Sequence, residues 1–153
     1  VAELVPKLDY SNIPEDKIRA NEVSRQVSLV AKMPQVRELL MPYQREYADH
    51  KNMVADGRDM GTTVFTDADV KIFLTASIEA RAKRRFDELK QKGYSGRLID
   101  IEQEITLRDR IDSERAASPL KIAPDAIIVD TSNMGIPEVV REVKRIVQDK
   151  LKP

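Results

Sequence analysis

Apolar residues in this chain fall into two patterns, short unbroken runs and stripes at helical spacing. The runs are Met53–Ala55, Val70–Leu74 and Ala126–Val129, and the second and third are each followed by a helical pattern, Ile78 to Lys92 and Ile136 to Leu151. Short continuous runs alternating with amphipathic helices predict a parallel sheet buried on both faces, with right-handed crossovers. Upstream, a helical pattern covers Val1 to Leu8, and a polar link runs from Asp9 to Lys17. Asn21 can then cap a helix to about Lys32, with Val23, Val27 and Val30 on one core stripe. A further helix after Pro34 would bury Val36, Leu39 and Leu40, with Pro42 kinking it or shortening its regular part. A charged insert lies between Lys92 and Ala126: Gly93-Tyr94-Ser95-Gly96, a helix from about Leu98 to Ser113, then Ser118-Pro119. The pattern divides one structural domain into segments 1–51, 52–92, 93–119 and 120–153.

Candidate chemistry starts at Gly57-Arg58-Asp59-Met60-Gly61-Thr62, directly after the first apolar run. A guanidinium and a carboxylate side by side on a turn past the carboxyl end of a strand suit a ligand site in an open α/β sheet. Arginine offers a planar fork for phosphate, and the neighbouring carboxylate offers an acceptor. The insert helix adds a second set. Leu98, Ile101 and Ile105 form an apolar stripe whose azimuth, continued by helical steps, reaches Arg108, Asp112 and Arg115. That row reads either as an ion-pair ladder on a solvated face or as a substrate-facing row. With a second Arg-Asp pair at Arg58 and Asp59, convergence on one anionic ligand is the better reading. The helix from Ile78 carries Arg81, Lys83, Arg84 and Arg85, read either as a solvated face or as a lid whose arginines neutralise transferring phosphates, with Gly93 and Gly96 as hinge. Ser28 and Arg37, upstream, carry no signal by themselves.

Composition narrows the classes. Lys plus Arg number 26, equal to Asp plus Glu, so the formal net charge is zero. A general polyanion binder needs an excess of positive charge, and a stacking platform needs aromatic side chains, here only 5%. No nucleic-acid partner is expected. With no cysteine and a single histidine, His50, there is neither a disulfide framework nor a multi-histidine metal cluster. His50 reads as part of a solvated helix end. No run reaches membrane-spanning length and no signal peptide is visible, so no membrane partner is expected. The absence of cysteine suits a reducing cytoplasm, and a monomer is the expected state.

Several stretches together resemble the bacterial cytidylate kinases, nucleoside monophosphate kinases of the P-loop class. The matching text includes Val30-Ala31-x-x-Pro34-x-Val36-Arg37, Ala55-Asp56-Gly57-Arg58-Asp59-Met60-Gly61-Thr62 and Lys71-Ile72-Phe73-Leu74-Thr75-Ala76-Ser77. Glu79 to Arg85, Arg108-Asp109-x-x-Asp112-x-x-Arg115, Ser118-Pro119-Leu120 and Asp125-Ala126 complete it. The resemblance runs from about Ile18 to the C-terminus. It implies a three-layer α/β/α fold with a parallel sheet, and ATP-dependent phosphorylation of CMP and dCMP. It also implies roles. Ser28, Arg37 and Asp59 would read the cytosine ring, Arg58 and Arg115 would grip the monophosphate, and Arg108 with Asp112 would address the sugar and brace that grip. Arg58, Arg108 and Arg115 would be the catalytic set. Arg84 would belong to a lid over ATP, and Asp56 would help hold Mg2+ through water.

One departure from the family is large. These 153 residues contain no Gly-x-x-x-x-Gly-Lys-Ser/Thr phosphate loop and no first strand to carry it. The chain opens on Val1 within a helical pattern, so it reads as an incomplete domain from a longer protein, inactive alone. The rival reading is a non-catalytic nucleotide-binding or interaction fragment. The family's small β-rich segment has no room near Asp9-Tyr10-Ser11-Asn12, and a break in chain connectivity near Tyr10 and Ser11 is therefore expected.

Overall fold

The computed structural model describes Ile18 and residues 21–48 and 52–152. Expectations for Val1 to Leu8, for connectivity at Tyr10 and Ser11, and for His50 lie outside the described residues.

Among these, the elements run α1 (Asn21–Ala31), α2 (Pro34–Glu46), a π-helical turn (Met60–Val64), β1 (Ile72–Thr75), α3 (Ile78–Gln91), α4 (Leu98–Glu114), β2 (Ile127–Asp130) and α5 (Ile136–Lys150). β1 and β2 pair in parallel, Ile72 opposite Ile127 through Thr75 opposite Asp130. The arrangement is thus helix-rich α/β with a small parallel sheet, as the alternation of runs and stripes implied. The sheet is not buried on both faces as expected: Leu74 is 53% and Ile128 56% exposed, because none of the described helices covers them.

Other expectations are corrected as well. Met53–Ala55 is irregular rather than a strand. Val54 is 99% exposed, and a three-residue run gains little unless a neighbouring strand supplies a ladder, which none of the described residues does. The valine stripe of α1 is not core: Val23, Val27 and Val30 are each more than 40% exposed. α1 meets α2 and α4, but neither covers that face. In α2, Val36 is buried while Leu39 and Leu40 are only partly so. The helix also continues a full turn beyond Pro42, which forfeits one N–H donor without ending it.

The best-formed core lies between α3 and α4. Ala82, Leu89 and Ile101 are buried there, with Phe86, Tyr94 and Ile105 packed against them. Ser77 starts α3 as its N-cap, its hydroxyl accepting the Ala80 N–H at 3.2 Å. Gly93 follows α3 with φ +87°, a left-handed conformation that glycine adopts without a Cβ clash. This packing fixes the azimuth of α4, so the face that buries Ile101 must carry Asp112 inward as well. Ile101→Ala removes a buried side chain that is 2% exposed. It is expected to destabilise the fold by about 2–5 kcal/mol, read from denaturant unfolding.

Candidate functional site

The Gly-Arg-Asp stretch is a bend entering a single π-helical turn. Asp59 is its N-cap, and the Asp59 carbonyl accepts the N–H groups of Thr63 (2.9 Å) and Val64 (3.3 Å). π turns appear often at functional sites because they displace side chains from the regular helical path. Gly57 lies close against the Met60 side chain, which would have to shift for any larger residue. A Cβ there would lie 2.9 Å from Cγ of Met60.

This turn meets α4 and α2 through two buried carboxylates. Asp112 is 2% exposed and Asp59 5%. Asp112 Oδ2 accepts Nε of Arg58 at 3.1 Å and lies 3.9 Å from Nε of Arg108, while its Oδ1 lies 3.8 Å from Arg115. Asp59 Oδ2 accepts a hydrogen bond from Arg37, and Oδ1 lies 3.7 Å from Arg115. Arg115 bridges the two carboxylates. It is the C-cap of α4, and its Nε donates to the Ser118 carbonyl at 2.7 Å. Ser118, at φ +49°, takes the left-handed conformation that presents this carbonyl. The Leu120 N–H closes the loop by donating to the Asp112 carbonyl at 2.7 Å.

Four guanidinium groups on two carboxylates leave two positive charges, +4 against −2. The cations are also short of acceptors: Nε of Arg37, Nε of Arg108 and one terminal nitrogen of Arg115 are buried with no hydrogen-bond partner among the described residues. Burial first, and then the charge of Arg115, holds the Arg37 guanidinium below its ordinary pKa. A buried donor without an acceptor costs about 1–3 kcal/mol. An anion of charge −2 with several acceptor oxygens would supply what this cluster lacks. Chemically, the arrangement can bind and neutralise a phosphate monoester.

Of the residues singled out in the sequence, Arg37, Arg58, Asp59, Arg108, Asp112 and Arg115 thus come together. Ser28 falls on α1, but its side chain lies outside the described residues. Asp56 is exposed on the irregular segment before the turn. Arg84 is apart from the cluster, at the carboxyl end of β2. It donates to the carbonyls of Thr131 and Met134, the latter at 3.2 Å, and to the Thr131 hydroxyl at 3.2 Å. Arg81 is not on a free solvated face: it donates to the Ala76 carbonyl at 3.0 Å and pairs with Asp109 at 2.6 Å.

Sequence reasoning missed Arg45 and Lys71. Arg45, near the end of α2, donates to the carbonyls of Val64 (2.9 Å) and Thr63 (3.0 Å) at the far end of the π turn. Lys71 donates to the Thr66 carbonyl at 2.6 Å and to Asp125 at 2.8 Å. The available signal for Arg45 was its place two helical turns after Arg37, on the same side of α2.

A family model described as cytidylate kinase matches residues 7–149. Among curated proteins, the chain is 49% identical over 136 residues to a cytidylate kinase of Anoxybacillus flavithermus, covering 89% of this chain and 60% of the relative. It is 48% identical over 135 residues to one of Bacillus velezensis, covering 88% and 60%. It is 47% identical over 137 residues to one of Thermosipho melanesiensis, covering 90% and 63%. The chain spans about three-fifths of the length of these relatives.

Proposed function

Because the chain belongs to the cytidylate kinase family, we propose that it carries the acceptor site of an ATP-dependent kinase that converts CMP and dCMP to their diphosphates. The observation that supports this most is the charge and donor balance of the arginine cluster. Its two uncompensated positive charges and three unpartnered buried nitrogens match a phosphate monoester dianion.

Arg58 and Arg115 hold the monophosphate, with Arg108 and Asp112 on the sugar side and bracing the grip. Ser28, Arg37 and Asp59 face the cytosine ring. Transfer moves the γ-phosphoryl of ATP in line to a monophosphate oxygen. Both partners are anionic, so the chemistry is positioning and charge neutralisation, which placed arginines supply and a side-chain nucleophile does not. Arg84 contributes toward the ATP side. Mg2+ takes few protein ligands and completes its shell with water and phosphate oxygens. A lone exposed carboxylate such as Asp56 therefore fits an outer-sphere role, and Mg2+ would supply charge neutralisation of the phosphates. None of the described helices is long and apolar enough to cross a membrane, and a monomer in the cytoplasm is part of the same proposal.

These 153 residues hold no phosphate loop, and no arginine here replaces its main-chain cradle and lysine. The chain alone is therefore expected not to turn over ATP and CMP in a coupled ADP assay. The full-length gene product is expected to be active with CMP and dCMP, and much less so with AMP and GMP. Equal rates on all four monophosphates would overturn the assignment of the acceptor.

A further inference from the structure

We infer that Arg45 is a positioning residue that sets the Gly-Arg-Asp turn from its far end, an inference that rests on the acceptor-site reading above. α2 grips the turn twice. Arg37 bonds the Asp59 carboxylate where the turn begins. Arg45 forks onto the last two carbonyls of the turn, Nε to Val64 at 2.9 Å and a terminal nitrogen to Thr63 at 3.0 Å.

The turn transmits that grip to the site. The N–H groups of Thr63 and Val64 both donate to the Asp59 carbonyl, and that of Phe65 donates to Met60 at 2.7 Å. Of the two peptides held by Arg45, Thr63–Val64 carries the Val64 N–H that bonds the Asp59 carbonyl, and Val64–Phe65 carries the Phe65 N–H that bonds Met60; Arg58 is the immediate neighbour of Asp59. A five-residue turn satisfies few of its own terminal carbonyls, and here Arg45 supplies the donor for two of them. Arginine suits this because its planar fork reaches two acceptors at once. Val64, 2% exposed, anchors the same end in the interior. Lys71 covers the other side, its Cδ 3.3 Å from where a Cβ on Gly61 would stand. No atom of Arg45 contacts the arginine cluster in this network, so its influence on the monophosphate runs through the turn.

The test is Arg45→Met and Arg45→Lys in the full-length gene product, with Arg110→Met, an exposed pair on α4, as control. Arg45→Met is expected to raise KM for CMP about tenfold, the equivalent of one lost hydrogen bond, and to leave KM for ATP within about twofold. Arg45→Lys, which can reach one carbonyl, is expected to fall between. Amide hydrogen exchange across residues 57–66 is expected to accelerate in Arg45→Met and not in the control. A general loss of stability would lower the melting temperature and the active fraction without separating the two KM values. Equal shifts in both KM values, or unchanged exchange in the turn, would overturn the inference. If the unaltered protein does not phosphorylate CMP, the acceptor-site reading fails, and the exchange measurement alone then decides whether Arg45 holds the turn.

Discussion

Arg115→Lys is expected to lower kcat/KM for CMP about a hundredfold in the full-length gene product, although the charge is kept. Arg115 is 8% exposed and works as a three-point bridge: Nε on the Ser118 carbonyl at 2.7 Å, one terminal nitrogen 3.8 Å from Asp112 and the other 3.7 Å from Asp59. One of those nitrogens is buried without a hydrogen-bond partner among the described residues. A lysine ammonium is a single compact point and cannot span a carbonyl, two carboxylates and a ligand. Losing one partner of a buried charged network costs about 2–5 kcal/mol, and a hundredfold effect is about 2.8 kcal/mol. Arg58→Lys should cost less, about tenfold, because its side chain is 41% exposed and bonds Asp112 alone. Steady-state kinetics with CMP as the varied substrate measures both, and a melting curve checks the fold. Wild-type kinetics in both variants would reduce these arginines to structural ion pairs.

The row that carries Arg115 was legible because helical geometry is local. Once Ile101 and Ile105 mark the inward face of α4, 3.6-residue periodicity sends Arg108 and Asp112 the same way, whatever the rest of the chain does. Arg58 and Asp59 were legible for a different reason, since a plain turn needs the glycines but not the charges. Arg37 was not. Its contact with Asp59 joins two elements 22 positions apart, and a single arginine on a helix announces no partner. Arg45 was hidden further, because a cation in the last turn of a helix already has a bland explanation in the helix dipole. The Met53–Ala55 run misled for the converse reason. Strand formation depends on neighbours far away in sequence, so an apolar β-type run states a propensity and not a ladder. Arg84 shows the same limit. Its helix is where periodicity put it, but its three bonds go to the loop after β2, a destination set by the parallel pairing of β1 with β2.

Asp59→Asn is expected to reduce CMP efficiency and, more tellingly, to narrow the preference for CMP over UMP. Cytosine presents an N4 amino donor where uracil presents an O4 acceptor. A carboxylate accepts from the first and repels the second, whereas an asparagine amide can turn its NH2 toward the uracil oxygen. Asp59 has room for this role. A carboxylate has about four lone-pair sites, and among the described residues only Arg37 and, at 3.7 Å, Arg115 approach it. The substitution also removes a buried negative charge between two arginines, so both substrates should lose efficiency through the common phosphate grip. That shared loss cancels in the CMP-to-UMP ratio, which isolates the base. Leaving a polar group of a recognition site unpaired costs about 1–3 kcal/mol, so the ratio should fall by about ten- to a hundredfold. Competition between CMP and UMP in one reaction with the full-length gene product reads it directly. If both rates fall and the ratio holds, Asp59 serves only to seat Arg37 and Arg115. Discrimination of the base then passes to Arg37 and Ser28, and Arg37→Met should narrow the ratio instead.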